Sequence, residues 1–242
     1  MWGSDERNVF YRHARAGRWL LRLETNLLRK ALIGCDQTRI VRYGGPDRRL
    51  LKKYVALCAR MVHVEPTWSG RRVSAAPQIL AALTALPFQP QSIETLVLWH
   101  SIEVCTSLDD VLKSVFQVLA PGGRVIIVCF NPWSMWSLIH LFSARVHFPW
   151  GGGHYWSRWR IESVARSVGL SYISSRTAGF RLPWKVGKRD GSLQNPLEVL
   201  GQWFVPGFGA VSCLVFERRT LCGIMEPQQV VSRRISVVPT GA

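Results

Sequence analysis

The sequence predicts an α/β fold built on a parallel sheet. The stretch from Leu83 to Phe130 carries most of that prediction. It holds two apolar, strand-like runs with an amphipathic helix between them, the arrangement of a βαβ unit. Pro121 to Gly123 forms a turn that launches the second run. Upstream, a short apolar run at Thr38 to Tyr43 leads into Gly44, Gly45 and Pro46. A strand, a glycine turn and a helix start at Asp47 together make a place where a nucleotide or an anionic group can dock.

The elements follow in order. Arg7 to Lys30 reads as a helix in two pieces broken near Gly17. Trp19, Leu20, Leu23, Leu27 and Leu28 recur at helical spacing, with Arg18, Arg22 and Arg29 between them. Such a stripe predicts a helix covering one face of the sheet; a basic amphipathic helix lying on an anionic membrane is the alternative. After the first strand, Asp47 starts a helix running through Leu57. Met61 to Val64 is a second strand, with Glu65 just past its end, and Arg71 to Leu86 supplies a third strand and a short helix. Ser92 to Trp99 is a fourth strand, buried on both faces by its continuous apolar run. Ser107 caps a helix that reaches Leu119, and Gly123 to Phe130 is the fifth strand. Asn131 to Trp156 is irregular and aromatic, with a helix over Ser134 to Phe142. Ser157 to Val168 is a helix ended by Gly169, and Leu170 to Phe180 a sixth strand. A short helix over Leu197 to Phe204 and a last strand at Gly209 to Glu217 complete the pattern.

Composition narrows the class. A chain of 242 residues with 48 % hydrophobic content has enough material for one folded α/β domain. No uninterrupted apolar run is long enough to span a bilayer, and the charged N-terminus lacks a secretory pattern. The six cysteines (Cys35, Cys58, Cys105, Cys129, Cys213 and Cys222) form no CxxC pair, which argues against a zinc ribbon and for a reducing, cytoplasmic setting. The formal net charge of +16 points to an anionic partner, either RNA or an acidic membrane surface, or to a compositional bias toward arginine.

The central residues resemble a known family. LPFxxxSIETLVLWHSIEV followed by LDDVLKSVFQVLAPGGRVIIVCFNP is similar to the class I S-adenosylmethionine-dependent methyltransferases, in particular the methyltransferase type 11-like domain. FNPWSMWSL, from Phe130, is close to the FNPWSLWGLR of a small bacterial branch of such proteins. Gly17, Arg18, Leu20, Leu21 and Glu24 in the N-terminal helix and the late PGFGAVSCLVFERR also look like that branch, so the resemblance spans roughly residues 17 to 222. It implies a Rossmann-like doubly wound sheet, mostly parallel with an antiparallel last strand. It implies a single domain over residues 1–222, with an N-terminal helical region (1–36), an aromatic insert or lid (131–156) and a tail at 223–242.

The resemblance also implies S-adenosyl-L-methionine as methyl donor and a small-molecule acceptor of unknown identity. By position, Tyr43, Gly44 and Gly45 correspond to the cofactor's glycine turn, although the GxGxG spacing is missing. Glu65 corresponds to the acid that accepts the ribose hydroxyls. Ala82 stands where the family often has an acid for the adenine, which leaves the backbone around Leu83 to meet the ring. Trp99 and His100 line the mouth of the site. His100 is the candidate general base, because an imidazole titrates near neutral pH; its alternative is a packing histidine. His63 reads as structural, and His140, His147 and His154 show no metal-ligand spacing. Trp133, Trp136, Phe148, Trp150, Tyr155 and Trp156 form either an acceptor pocket or a lid packed on the sheet. Two function classes follow: a methyltransferase, or a catalytically silent binding or regulatory protein with a divergent cofactor loop.

Overall fold

The structure is a computed structural model that describes residues 4–35, 40–46, 50, 62–65, 78–137, 153–181, 196–205 and 207–219. Its helices are α1 (Ser4–His13), α2 (Arg15–Ala31), α3 (Leu108–Val118), α4 (Arg158–Ser167) and α5 (Pro196–Phe204). Its strands are β1 (Ile40–Gly44), β2 (Val62–Glu65), β3 (Gln78–Leu80), β4 (Ile93–Trp99), β5 (Leu119–Phe130), β6 (Leu170–Ala178) and β7 (Val211–Arg218). Among the described residues they form one sheet in the order β3-β2-β1-β4-β5-β7-β6. The first five positions are parallel, and β7 runs antiparallel to both β5 and β6. The predicted doubly wound sheet with an antiparallel last strand is therefore present.

Two apolar layers sandwich the sheet. On one face α2 buries Trp19, Leu20, Leu23, Leu27 and Leu28 against Val97, Trp99, Ile126, Val128, Cys213 and Val215. On the other, α3 and α4 bury Val111, Leu112, Val115, Ile161 and Val164 against Leu96, Leu98, Ile127 and Leu214. Because β4 and β5 are covered on both sides, their side chains are apolar at nearly every position, which is why they were readable as buried strands. The stripe on α2 packs on the sheet, so this helix is not a membrane-surface element.

Several predicted details shift. The N-terminal helix breaks at Ala14, not near Gly17. Arg18 holds the junction by donating to the Arg12 and His13 carbonyls at 2.8 and 3.1 Å, the last groups of α1 that lack helical partners. Gly17 lies inside α2 because α1 crosses it there: a Cβ would run into the Phe10 carbonyl. Glu65 is the last residue of β2 rather than the first beyond it. Pro121 to Gly123 is internal to β5, not a turn before it. Leu119 already pairs with Ile93, and the register jumps to Thr95 opposite Arg124, with Gly122 at φ 73° taking up the bulge. Of the strand and short helix predicted over Arg71 to Leu86, the strand is β3, residues 81–86 form turns, and residues 71–77 lie outside the described residues. Ser107 caps α3 as expected, accepting the Asp110 amide, and Ser157 caps α4 in the same way. The Asp47 helix apart from Leu50, the body of the insert from 138 to 152 and the 223–242 tail lie outside the described residues.

Candidate active site at the carboxyl edge of the sheet

Strand order reverses between β1 and β4, so their carboxyl ends flank the crevice where doubly wound sheets bind ligands. β1 ends on Gly44, which is paired with Trp99 at the end of β4. Gly44 and Gly45 both have left-handed backbones (φ 72° and 82°), which glycine adopts without steric cost. Gly45 has a second reason to lack a side chain: a Cβ there would lie 2.9 Å from the Trp99 ring. Arg42 Nη1 reaches forward to the Pro46 carbonyl at 2.7 Å and braces the turn from inside the fold. Tyr43 is buried and donates its hydroxyl to the Ala81 carbonyl at 2.9 Å, tying β1 to the loop after β3. Leu83 is buried in that loop. Glu65 stands at the carboxyl end of β2, where its Oε1 meets His63 Nε2 at 2.8 Å. His63 is itself buried. That burial, with Arg42 as the next cause, pushes its pKa below the ordinary histidine value despite Glu65.

The most heavily bonded group at this edge is a buried carboxylate–imidazole–carboxylate cluster. His100 follows β4 in a left-handed conformation (φ 47°), unusual for a residue with a side chain, and donates its amide to the Val128 carbonyl. Its Nδ1 meets Glu103 Oε1 at 2.8 Å and its Nε2 meets Glu24 Oε1 at 3.1 Å. The ring stacks on Phe130 with centroids 3.9 Å apart. Glu24 comes from α2 and has no exposed surface. It also accepts from the Tyr11 hydroxyl at 2.9 Å and from Trp99 Nε1 at 2.9 Å. Glu103 Oε1 additionally accepts the Phe130 amide at 2.9 Å, while its Oε2 is buried without a hydrogen-bond partner among the described residues.

Both ring nitrogens of His100 face carboxylate oxygens, and a carboxylate offers no hydrogen, so each nitrogen must donate. Burial alone would lower the pKa of this imidazole. The charges of Glu24 and Glu103 and their hydrogen bonds outweigh it and raise the pKa to about 9. At neutral pH His100 is therefore an imidazolium with no lone pair available to take a proton. Glu103 in turn pushes up the pKa of neighbours already shifted by burial: the Cys105 thiol to about 11 and the half-buried Tyr155 phenol still further.

The structure brings Tyr43, Gly44, Gly45, Trp99 and His100 together around the ends of β1 and β4, with Glu65 one strand away and Leu83 on the adjoining loop. Trp99 is wholly buried, on the α2 face beneath the glycine turn. Of the aromatic insert, Trp136 is core, stacked on Trp19 with centroids 5.5 Å apart, and Trp156 donates to the Ile102 carbonyl at 2.9 Å. Trp133 projects outward, while Phe148 and Trp150 lie outside the described residues. Glu24 escaped the sequence reading as a member of this site. The available signal was a lone acid within the apolar stripe of α2, four residues after Leu20 and four before Leu28. Among the described residues no group of three or more His, Cys, Asp or Glu side chains is arranged to hold a metal ion, and no helix is long and apolar enough to cross a membrane.

Comparison with known proteins agrees with this architecture. Residues 45–127, roughly a third of the chain, match a family model described as a methyltransferase domain. The match runs from Gly45 through β4 into β5, the part of the fold that forms the crevice. The fold is that of the class I S-adenosylmethionine-dependent methyltransferases. One similar solved structure is an S-adenosylmethionine-dependent methyltransferase from Thermotoga maritima, described as a possible histamine N-methyltransferase. It has 15 % identity and a TM-score of 0.61, over 90 % of this chain and 100 % of that one. A putative methyltransferase solved with the Haloferax volcanii Trm112 activator has 12 % identity and a TM-score of 0.58, over 89 % and 98 %. Geranyl diphosphate C-methyltransferase from Streptomyces coelicolor A3(2) has 14 % identity and a TM-score of 0.53, over 80 % and 79 %; it was solved with Mg2+, geranyl diphosphate and S-adenosyl-L-homocysteine. No curated protein matches the sequence.

Proposed function

We propose that the protein is an S-adenosylmethionine-dependent methyltransferase acting on a small-molecule acceptor. The carrying observation is the turn after β1: two consecutive left-handed glycines at the topological switch point, the second of which, Gly45, opens the segment that matches the methyltransferase domain. The residues present fit the cofactor. Gly44 and Gly45 place bare backbone beside the crevice. Glu65 offers a carboxylate at the end of β2 for the two ribose hydroxyls, and the loop carrying Leu83 offers backbone groups for the adenine. Bound there, S-adenosylmethionine would supply a methyl group on a sulfonium, which leaves readily as a thioether.

The chain's contribution is then mainly placement. Holding donor and acceptor in line converts a bimolecular encounter into an intramolecular one, worth about 7–11 kcal/mol in favourable cases. His100 fits this scheme as a positioning residue, because its protonated ring is committed to Glu24 and Glu103. It fixes the end of β4 against α2 and does not serve as base. A second reading, a protein that binds ligand without turnover, draws on one observation: the turn lacks the GxGxG spacing and is flanked by Arg42 and Tyr43, both directed into the fold.

Isothermal titration calorimetry of the purified, folded chain with S-adenosylmethionine and with S-adenosylhomocysteine tests the proposal. Binding of both is expected. Glu65→Ala should weaken it by roughly 10- to 100-fold, the loss of hydrogen bonds to a charged group. Absence of binding by either ligand overturns the proposal, and unchanged affinity in Glu65→Ala overturns the ribose assignment.

A further inference from the structure

Helix α5 is amphipathic with its apolar face turned outward. Gly201 sits directly on the Phe180 ring, and Gln202 Nε2 donates to the Thr177 carbonyl, so these residues mark the inner side. Val199, Leu200, Trp203 and Phe204 fall on the opposite side at i, i+1, i+4 and i+5. All four are exposed, Trp203 at 81 % and Phe204 at 79 %. The surface continues beyond the helix. Val205 and Phe208 are exposed, and Asn131 Nδ2 binds the Gly207 and Gly209 carbonyls while its Oδ1 accepts the Trp133 amide. Trp133, 64 % exposed, and exposed Met135 lie on the segment that Asn131 ties to this turn. Isolated exposed apolar residues are ordinary, but a contiguous group of this size marks an interaction surface.

We propose that this patch docks the protein onto an anionic lipid bilayer. The composition fits a bilayer interface, where tryptophan and phenylalanine partition at the level of the headgroups. The charge fits as well: the chain carries +16. Apolar insertion and electrostatic attraction reinforce each other at such a surface. The patch lies at the ends of β5 and β6, the same edge of the sheet that carries the crevice, so docking leaves the site facing the lipid side.

The full chain, mixed with phosphatidylcholine vesicles with and without phosphatidylglycerol, provides the test by co-sedimentation. Binding is expected to the anionic vesicles and to weaken with added salt. The double variant Trp203→Ser/Phe204→Ser should bind at least about tenfold less, since each ring removes more than one tenfold step of burial energy. Its S-adenosylmethionine affinity should be unchanged, which separates this proposal from the methyl-transfer reading. Trp203→Phe, a conservative change, should reduce fluorescence quenching by brominated anionic lipid without altering the fold. Equal vesicle binding by the double variant overturns the proposal. So does binding of a single-stranded RNA oligonucleotide with no binding to vesicles. So does a self-association that the double variant abolishes while neither form binds lipid.

Discussion

Raising the pH through the range from 6.5 to 9 should destabilise this fold in a way that traces to His100. The folded-state pKa is raised to about 9 by Glu24 and Glu103, above the ordinary value of 6.5. The stabilisation is therefore fully present below about pH 6.5. It declines as the unfolded chain, but not the folded one, gives up its proton, and it is gone above about pH 9. One proton held only by the folded state costs roughly 1.4 kcal/mol per pH step of one, or about 3 kcal/mol across the window. For a chain of this length that corresponds to a fall in melting temperature of roughly 5–10 °C. Half-buried Cys105 and buried Cys129 and Cys213, whose thiols are pushed up in pKa, add a decline of their own above about pH 9. The informative quantity is thus the slope between pH 6.5 and 8.5, measured by urea denaturation and compared with His100→Asn. Asparagine tolerates the left-handed backbone at this position and cannot titrate. The variant should be less stable at pH 6.5 and nearly flat through the window. An NMR titration of the wild-type ring should give a midpoint near 9. A midpoint near 6.5, or equal slopes in the two proteins, would refute the buried imidazolium.

Two glycine substitutions probe the frame around the site. Gly45→Ala forces a side chain into a left-handed backbone and against the Trp99 ring, and should cost about 2 kcal/mol or more by chemical denaturation while weakening cofactor binding in calorimetry. Gly17→Ala drives a methyl group into the Phe10 carbonyl, so α1 must lift from α2. It should cost about 1–3 kcal/mol and speed amide hydrogen exchange in α1, whereas an unperturbed α1 would show that the crossing is looser than described.

What was legible in the sequence was whatever depends on local pattern. β4 and β5 announce themselves by unbroken apolar runs, and α3 by Ser107 ahead of a periodic face. The misreadings share a cause: the same residue serves different ends depending on distant partners. Gly17 looks like a helix breaker and is a crossing point. Pro121 to Gly123 looks like a turn and is a bulge, because Leu119 pairs with Ile93 ahead of it. Gly44, Gly45 and Glu65 were singled out through the strand ends they occupy. His100 was placed correctly at the end of β4, but its protonation state depends on Glu24, 76 positions away. Nothing local shows that a lone glutamate in an apolar stripe will meet an imidazole.

That separation has a consequence during synthesis. The ribosome makes α2, complete with its leucine stripe and its glutamate, before the strands that cover them. At translation rates of about 5–20 residues per second, the 76 positions separating Glu24 from His100 take roughly 4–15 seconds to appear. Throughout that interval the helix has neither its apolar floor nor the countercharge for its acid. Until then its leucine stripe faces solvent. β4 brings the countercharge, His100, and part of the floor, Val97 and Trp99, while β5 and β7 supply the rest.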